Sequence, residues 1–175
     1  MASPHPDGRA GIDAALVKRL IDAQFPHWSG LPVTPVERCL AALEGHVDTD
    51  RARAVWDAAL AAEWHGEPVW FHGDIASGNL LVEDGELSAV IDFGTSGVGD
   101  PACDLVIAWG MFRSESREAF RAAVGQDAGT WARARGWALW KALLNLTGYV
   151  GTDRERADNE LRVVEAVLAD HDRFG

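Results

Sequence analysis

The sequence predicts an α+β fold, mostly α-helical, with one small β-hairpin or sheet set into it. Three observations carry this expectation. Apolar residues recur at helical spacing before residue 62 and after residue 101, the stretch between 69 and 93 breaks into short β-prone runs around Asp84-Gly85, and 175 residues suit a single compact body.

Residues 13–25 read as a first helix, since Asp13 can cap it and Leu16, Val17, Leu20, Ile21 and Phe25 recur on one face. The stretch "FPHWSGLPVTPV" then breaks the pattern. Pro26, Pro32 and Pro35 lack a backbone donor and push their preceding residues toward extended geometry, which makes this an arm or hinge. The predicted organisation is therefore an N-terminal helix and Pro-rich arm over 1–36, followed by a body over 37–175. A short helix is expected over 37–47, with Leu40 and Leu43 sharing a face. A second follows the caps in "DTD" at 48–50, with a narrow stripe of Val55, Ala58, Ala59 and Ala62.

From Val69 the period changes. "PVWF" and "NLLV" are β-prone, and "SAVIDF" follows across Asp84-Gly85, a strong hairpin signal. After Pro101 the helical pattern returns in four stretches: Ala102 to Met111, Arg117 to Val124, a Trp-rich run from Thr130 to Leu146, and Asp158 to Asp170. Of the eight tryptophans, Trp109, Trp131, Trp137 and Trp140 sit at helical spacing and are expected in the core. Cys103 reads as a small buried hydrophobe rather than a nucleophile.

Composition excludes several function classes. A net charge of −11 and a pI near 4.8 argue against nucleic-acid binding, which depends on basic residues displacing counterions, and favour a cationic small molecule. No apolar run approaches the roughly 20 residues of a membrane span. Cys39 and Cys103 lie far apart without C-x-x-C spacing, and "MASPHPDGRAG" lacks the apolar core of a signal peptide, so a reducing cytoplasmic setting is expected.

The chemistry is concentrated in "FHGDIASGNLLVEDGELSAVIDFG". His72-x-Asp74-x-x-x-x-Asn79 has the spacing of a kinase catalytic loop, in which the Asp accepts the attacking hydroxyl's proton and the Asn holds a metal ion. Asp92, Phe93 and Gly94 then match the metal-binding Asp-Phe-Gly. Phosphoryl transfer is mainly positioning and charge neutralisation, so one carboxylate must orient the nucleophile and hard oxygen donors must hold a cation against the phosphate.

Together "WFHGDIASGNLLV", "LSAVIDFG" and "GVGDPACDLVIAW" resemble the aminoglycoside phosphotransferase family of small-molecule kinases, with Gly99, Asp100, Pro101, Asp104 and Leu105 as a further hallmark. The resemblance implies a protein-kinase-like C-terminal lobe over nearly all of 37–170. It implies Asp74 as catalytic base, Asn79 and Asp92 on a divalent metal, magnesium or manganese, and His72, Gly94, Asp100 and Asp104 in supporting roles. "LVKRLIDAQFPHWSGLPVTPVE" resembles the beginning of full-length members, so an internal deletion near Val36 to Arg38 is expected.

What such a deletion removes is the ATP lobe. The only lysines are Lys18 and Lys141, both inside helical patterns, and no G-x-G-x-x-G precedes residue 70. No cofactor-binding loop is identifiable. Losing several charged hydrogen bonds, each worth about 1.5–3 kcal/mol, would weaken ATP binding by several orders of magnitude. The first expectation is therefore a metal-dependent phosphoester hydrolase using Asp74, Asn79 and Asp92. The alternatives are an O-phosphotransferase for an aminoglycoside or macrolide-type substrate, its nucleotide site completed by a partner chain, and a non-catalytic binding remnant. The substrate would be phosphorylated or cationic and hydroxylated. The surface uncovered by the missing lobe predicts that the Pro-rich arm folds over it or, preferably, that two chains pair as a homodimer.

Overall fold

A computed structural model describes residues 36–175, and the expected helix at 13–25 and the Pro-rich arm up to Pro35 lie outside the described residues. Among the described residues two helices come first, α1 (Val36–Ala42) and α2 (Thr49–Ala61). Four short strands follow, β1 (Val69–Phe71), β2 (Leu80–Glu83), β3 (Glu86–Val90) and β4 (Gly97–Gly99). Helices α3 (Ile107–Gly110), α4 (Ser114–Val124), α5 (Ala128–Tyr149) and α6 (Arg154–Phe174) complete the chain. This is the mostly helical α+β arrangement that the sequence predicts.

Helix starts are set by aspartates whose side chains accept the amides that a helix leaves unpaired. Asp48 accepts from Arg51 N–H at 3.1 Å, Asp127 from Thr130 N–H at 2.6 Å and Asp153 from Arg156 N–H at 3.1 Å. The bond from Thr130 also holds the Asp127 carboxyl below its ordinary range. Gly125, in the left-handed region, ends α4.

Helix α5, 22 residues long, is the axis of the body. Its Leu139, Leu143 and Leu146 are fully buried against Leu40 and Leu43 near α1, Val55 of α2, Trp109 of α3, and Val164 and Leu168 of α6. At Gly136 the helix α2 packs tightly on α5: a Cβ there would lie 2.5 Å from Cβ of Ala59, so only glycine admits this approach. Trp109 and Trp131 form an edge-to-face pair in the core, with centroids 5.8 Å apart, and Trp140 is partly buried. Trp137 departs from the expected core placement. It is 47% exposed and stands edge-on to Trp140, because its neighbours Gly136 and Ala138 take the buried face of the helix.

The expected hairpin forms, with Leu80 opposite Val90, Leu81 opposite Ala89 and Glu83 opposite Glu86, and an irregularity after Leu81. Asp84 and Gly85 both have positive φ, 52° and 85°, as the two-residue turn requires. A second ladder, β1 against β4, pairs Val69 with Gly99, Trp70 with Val98 and Phe71 with Gly97. The two glycines of "GVG" disfavour a strand by propensity, and Val98 alone favours one. The ladder forms because the glycine leaves room for the Phe71 ring, which lies 2.7 Å from where a Cβ on Gly97 would stand.

The segment expected as one helix from Ala102 is instead a 3₁₀ coil, Pro101–Val106, running into the single turn of α3. Asp100 caps it by accepting Ala102 N–H at 3.1 Å, and the tighter winding brings Asp104 to the loop after β1.

One buried ion network joins three helices. Asp170 of α6, 6% exposed, accepts from Arg121 of α4 through both oxygens at 2.8 Å and from Arg135 of α5 at 3.0 Å. Arg121 also lies over the Trp131 ring, 4.2 Å from its centroid. Removing the carboxylate strands two guanidinium groups. Asp170→Ala is expected to lower unfolding free energy by about 3–5 kcal/mol, and Arg121→Ala by less, since Arg135 keeps its partner. Chemical denaturation measures both, and a loss under about 1 kcal/mol for Asp170→Ala would contradict a stabilising role for the network.

Candidate active site

The loop after β1 is held by its backbone. The amides of His72 and Gly73 donate to the two oxygens of Asp104, both at 2.7 Å, so one carboxylate satisfies two donors that the strand leaves unpaired. His72 is buried, and its Nε2 donates to the Ile91 carbonyl at 2.8 Å while its Nδ1 accepts Asp74 N–H at 3.3 Å. Thr95 Oγ1 donates to the His72 carbonyl at 3.1 Å, and the Phe93 ring packs 4.6 Å from the imidazole. The loop carrying Asp74 and the turn carrying Asp92 are thereby tied together.

Gly73 is required twice over. Its φ is +85°, and a Cβ would lie 2.4 Å from the Thr95 carbonyl oxygen. Gly94 is not constrained in this way, since a Cβ there would stand at an ordinary contact distance of 3.5 Å from Asp92 Oδ1. The unusual backbone belongs to Asp92 itself, at φ 64° and ψ 61°, a conformation aspartate tolerates better than most residues.

Asn79 closes the loop. Its Nδ2 donates to the Asp74 carbonyl at 2.9 Å, and its own carbonyl accepts Ile91 N–H at 2.9 Å, so it is bonded to the residue preceding Asp92. The amide nitrogen being spent on Asp74, the Asn79 side-chain oxygen remains as a hard donor. Asp92 is exposed, with no hydrogen bond or ion pair among the described residues. Among these residues there is also no cluster of three His, Cys, Asp or Glu side chains able to hold a metal. One carboxylate and one amide oxygen nevertheless suit magnesium, which keeps several waters and takes further ligands from substrate phosphates. The donor set fits the divalent ion expected there.

Asp100 is committed elsewhere. Besides capping the 3₁₀ coil, it forms a two-pronged pair with Arg133, at 2.6 Å to Nε and 3.2 Å to Nη2, and Arg133 Nη1 also donates to the Glu63 carbonyl at 3.2 Å. This pins the chain leaving α2 to the coil that carries Asp104. The Cys103 thiol, half-buried and beside the Asp104 charge, is pushed up to about 11, so it is no thiolate at neutral pH.

The residue that sequence reasoning missed is Lys141. From α5 its ammonium reaches Asp74 Oδ1, pairing with the carboxylate expected to act as base. Lys141 is read from sequence as one more position in a helical pattern. The available signal is compositional: it is one of two lysines in a chain with fourteen arginines, set between the buried Ala138 and Ala142. A cavity of about 180 Å³ opens beside the pair, with Ile75 and Ser77 of the loop on one side and Lys141, Asn145 and Glu160 on the other. Burial raises the Glu160 carboxyl above its ordinary range, opposed by a hydrogen bond from Asn145 and by the charges of Lys141 and Arg162.

The family model described as the phosphotransferase enzyme family matches residues 10–137, a range that contains His72, Asp74, Asn79, Asp92 and Asp104 and ends before Lys141. Among solved structures, a thermostable mutant of aminoglycoside phosphotransferase APH(4)-Ia in its apo form is similar at 20% identity and a TM-score of 0.48, over 88% of this chain and 52% of that one. A ternary complex of such a mutant with AMP-PNP and hygromycin B is similar at 19% identity and 0.47, over 87% and 51%. The chain thus spans about half the length of these structures. No curated protein matches it in sequence. No helix among the described residues is long and apolar enough to cross a membrane.

The two glycines make a direct test of the loop geometry. Gly73→Ala is expected to cost about 2 kcal/mol or more, from positive φ and collision with the Thr95 carbonyl, while Gly94→Ala should stay within about 1 kcal/mol of the parent. Thermal denaturation of the two variants side by side checks this, and equal losses would contradict the loop geometry.

Proposed function

The chain belongs to the phosphotransferase enzyme family, and on that premise we propose that it transfers phosphoryl groups at Asp74 with water as acceptor, as a metal-assisted phosphoester hydrolase. The observation that carries this is the ordered Asp74 itself. Its carbonyl is held by Asn79, its amide by His72 and its carboxylate by Lys141, at the edge of a cavity.

In this reading Asp74 accepts a proton from water as the water oxygen attacks phosphorus, and the bond from phosphorus to the leaving alcohol breaks with the electron pair going to the alcohol. Lys141 orients the Asp74 carboxylate and offers its remaining N–H donors to the phosphoryl oxygens. Asn79 and Asp92 are the residues that would hold a divalent cation, which when bound would neutralise charge on the phosphoryl group. Water is favoured as acceptor because Lys141, the one lysine among the described residues, stands on α5 beside Asp74, and none stands on a strand to pair with nucleotide phosphates.

A second reading, transfer to a hydroxyl of a small cationic molecule with a partner chain completing the nucleotide site, draws on two observations. Glu160 places a partly desolvated carboxylate in the cavity wall, and the strands carry exposed apolar side chains, Trp70 at 80%, Val82 at 63% and Val98 at 56%. Exposed apolar side chains on the strands suit a second copy of the chain.

Chromogenic phosphomono-, di- and triesters, with and without magnesium or manganese, test the first reading. Metal-dependent turnover is expected, falling by about 10²–10⁴-fold in Asp74→Ala, the usual contribution of a general base, and strongly in Asp92→Ala. Unchanged turnover in either variant would rule out this site. Absent turnover with ATP-dependent thermal stabilisation and a dimeric mass in solution would give the partner-completed kinase; ligand binding with neither would give a binding remnant.

A further inference from the structure

A second cavity, of about 400 Å³, lies where the start of α4 meets the C-terminal half of α6, and it shares no lining residue with the cavity beside Asp74. Four arginines line it: Arg113 and Arg117 around the first turn of α4, Arg162 and Arg173 along α6. In a chain of net charge −11 this concentration of positive charge is unexpected.

The two acidic residues in the wall are committed to other partners than Arg113, Arg117 and Arg162. Glu118 is paired with Arg173 at 2.7 Å, and Asp170 is shared by Arg121 and Arg135. Arg117 donates only to the carbonyls of Ala108, at 2.9 Å, and Phe112, at 3.2 Å. Arg162 donates to the carbonyls of Trp109 and Gly110 and to the Asn159 side-chain oxygen, at 2.9–3.2 Å. These acceptors orient the guanidinium groups without cancelling their charge. The Arg113 guanidinium has no hydrogen bond or ion pair among the described residues. The strain is felt electrostatically: burial first, and then the charges of Arg113 and Arg117, hold Arg162 below its ordinary range. The N-terminus of α4, an 11-residue helix, opens at Ser114 on the same cavity and adds the positive end of its dipole.

We propose that this corner binds a phosphate-type dianion through Arg113, Arg117 and Arg162, at a site separate from the one built on Asp74. Pre-oriented arginines without carboxylate partners match the geometry of a phosphate or phosphomonoester group, which takes paired N–H donors. The proposal stands independently of the hydrolase reading.

Calorimetric titration of the full chain with inorganic phosphate against chloride at matched ionic strength tests it, alongside glycerol 2-phosphate. Saturable phosphate binding is expected. It should weaken by about tenfold or more in Arg113→Glu, and by about threefold at most in Arg113→Lys, which keeps the charge. It should persist in Lys141→Met, which alters only the other cavity. Tighter binding of the ester would assign the site to an esterified phosphate and the reverse order to the free ion, and either supports the proposal. No binding beyond chloride, equal binding in Arg113→Glu, or loss of binding in Lys141→Met would overturn it.

Discussion

The Asp104 carboxylate is the contact on which the rest of the site depends. It accepts the His72 and Gly73 amides and so fixes the one place where the strand β1 turns into the loop bearing Asp74. A charged acceptor for two backbone donors is stronger than a neutral one and leaves neither amide stranded in a half-buried position. Asp104 itself is not free to move: its coil packs on α5 and is closed by Asp100, which Arg133 ties back to the end of α2. From this anchor the contacts run outward, through the His72 ring to Ile91, through Thr95 back to His72, and through Asn79 to both Asp74 and Ile91.

The arrangement separates rigidity from chemistry. His72, Asp100 and Asp104 spend their polar atoms on backbone groups or on Arg133, and the side chains left facing outward are Asp92, one oxygen of Asn79 and the pair formed by Asp74 and Lys141. Fixed donors and charges around an open edge are what charge-stabilised transfer needs, because they need not reorganise during the reaction. The same chain shows two ways of handling arginine. Arg121 and Arg135 are neutralised on buried Asp170, whereas Arg113, Arg117 and Arg162 meet only neutral acceptors or none among the described residues.

Much of this is legible in the sequence, and the parts that are not share a cause. Helix positions follow from apolar spacing and capping aspartates, and the hairpin follows from Asp84-Gly85, because these are local preferences. The order and spacing of Asp74, Asn79 and Asp92 mark the loop and turn that come together, since a hairpin can only fold them onto each other. The β1–β4 ladder, the Lys141 contact and the Asp170 network are not legible, because each joins residues at least 26 apart by packing that no local preference encodes. Trp137 illustrates the same limit in reverse: its spacing suits a core position, yet the helix is turned by the contact of Gly136 with Ala59, which leaves the indole outside.

Amide hydrogen exchange of His72 and Gly73, compared between the parent chain and Asp104→Asn, tests the central contact most directly. Asparagine offers one acceptor oxygen and one donor group where the carboxylate offered two acceptors, so one of the two amides loses its partner. Slow exchange at both amides is predicted in the parent chain, with acceleration of about tenfold or more in the variant and unchanged protection along α5 and α6. Equal exchange in the two proteins would mean that Asp104 does not anchor the loop.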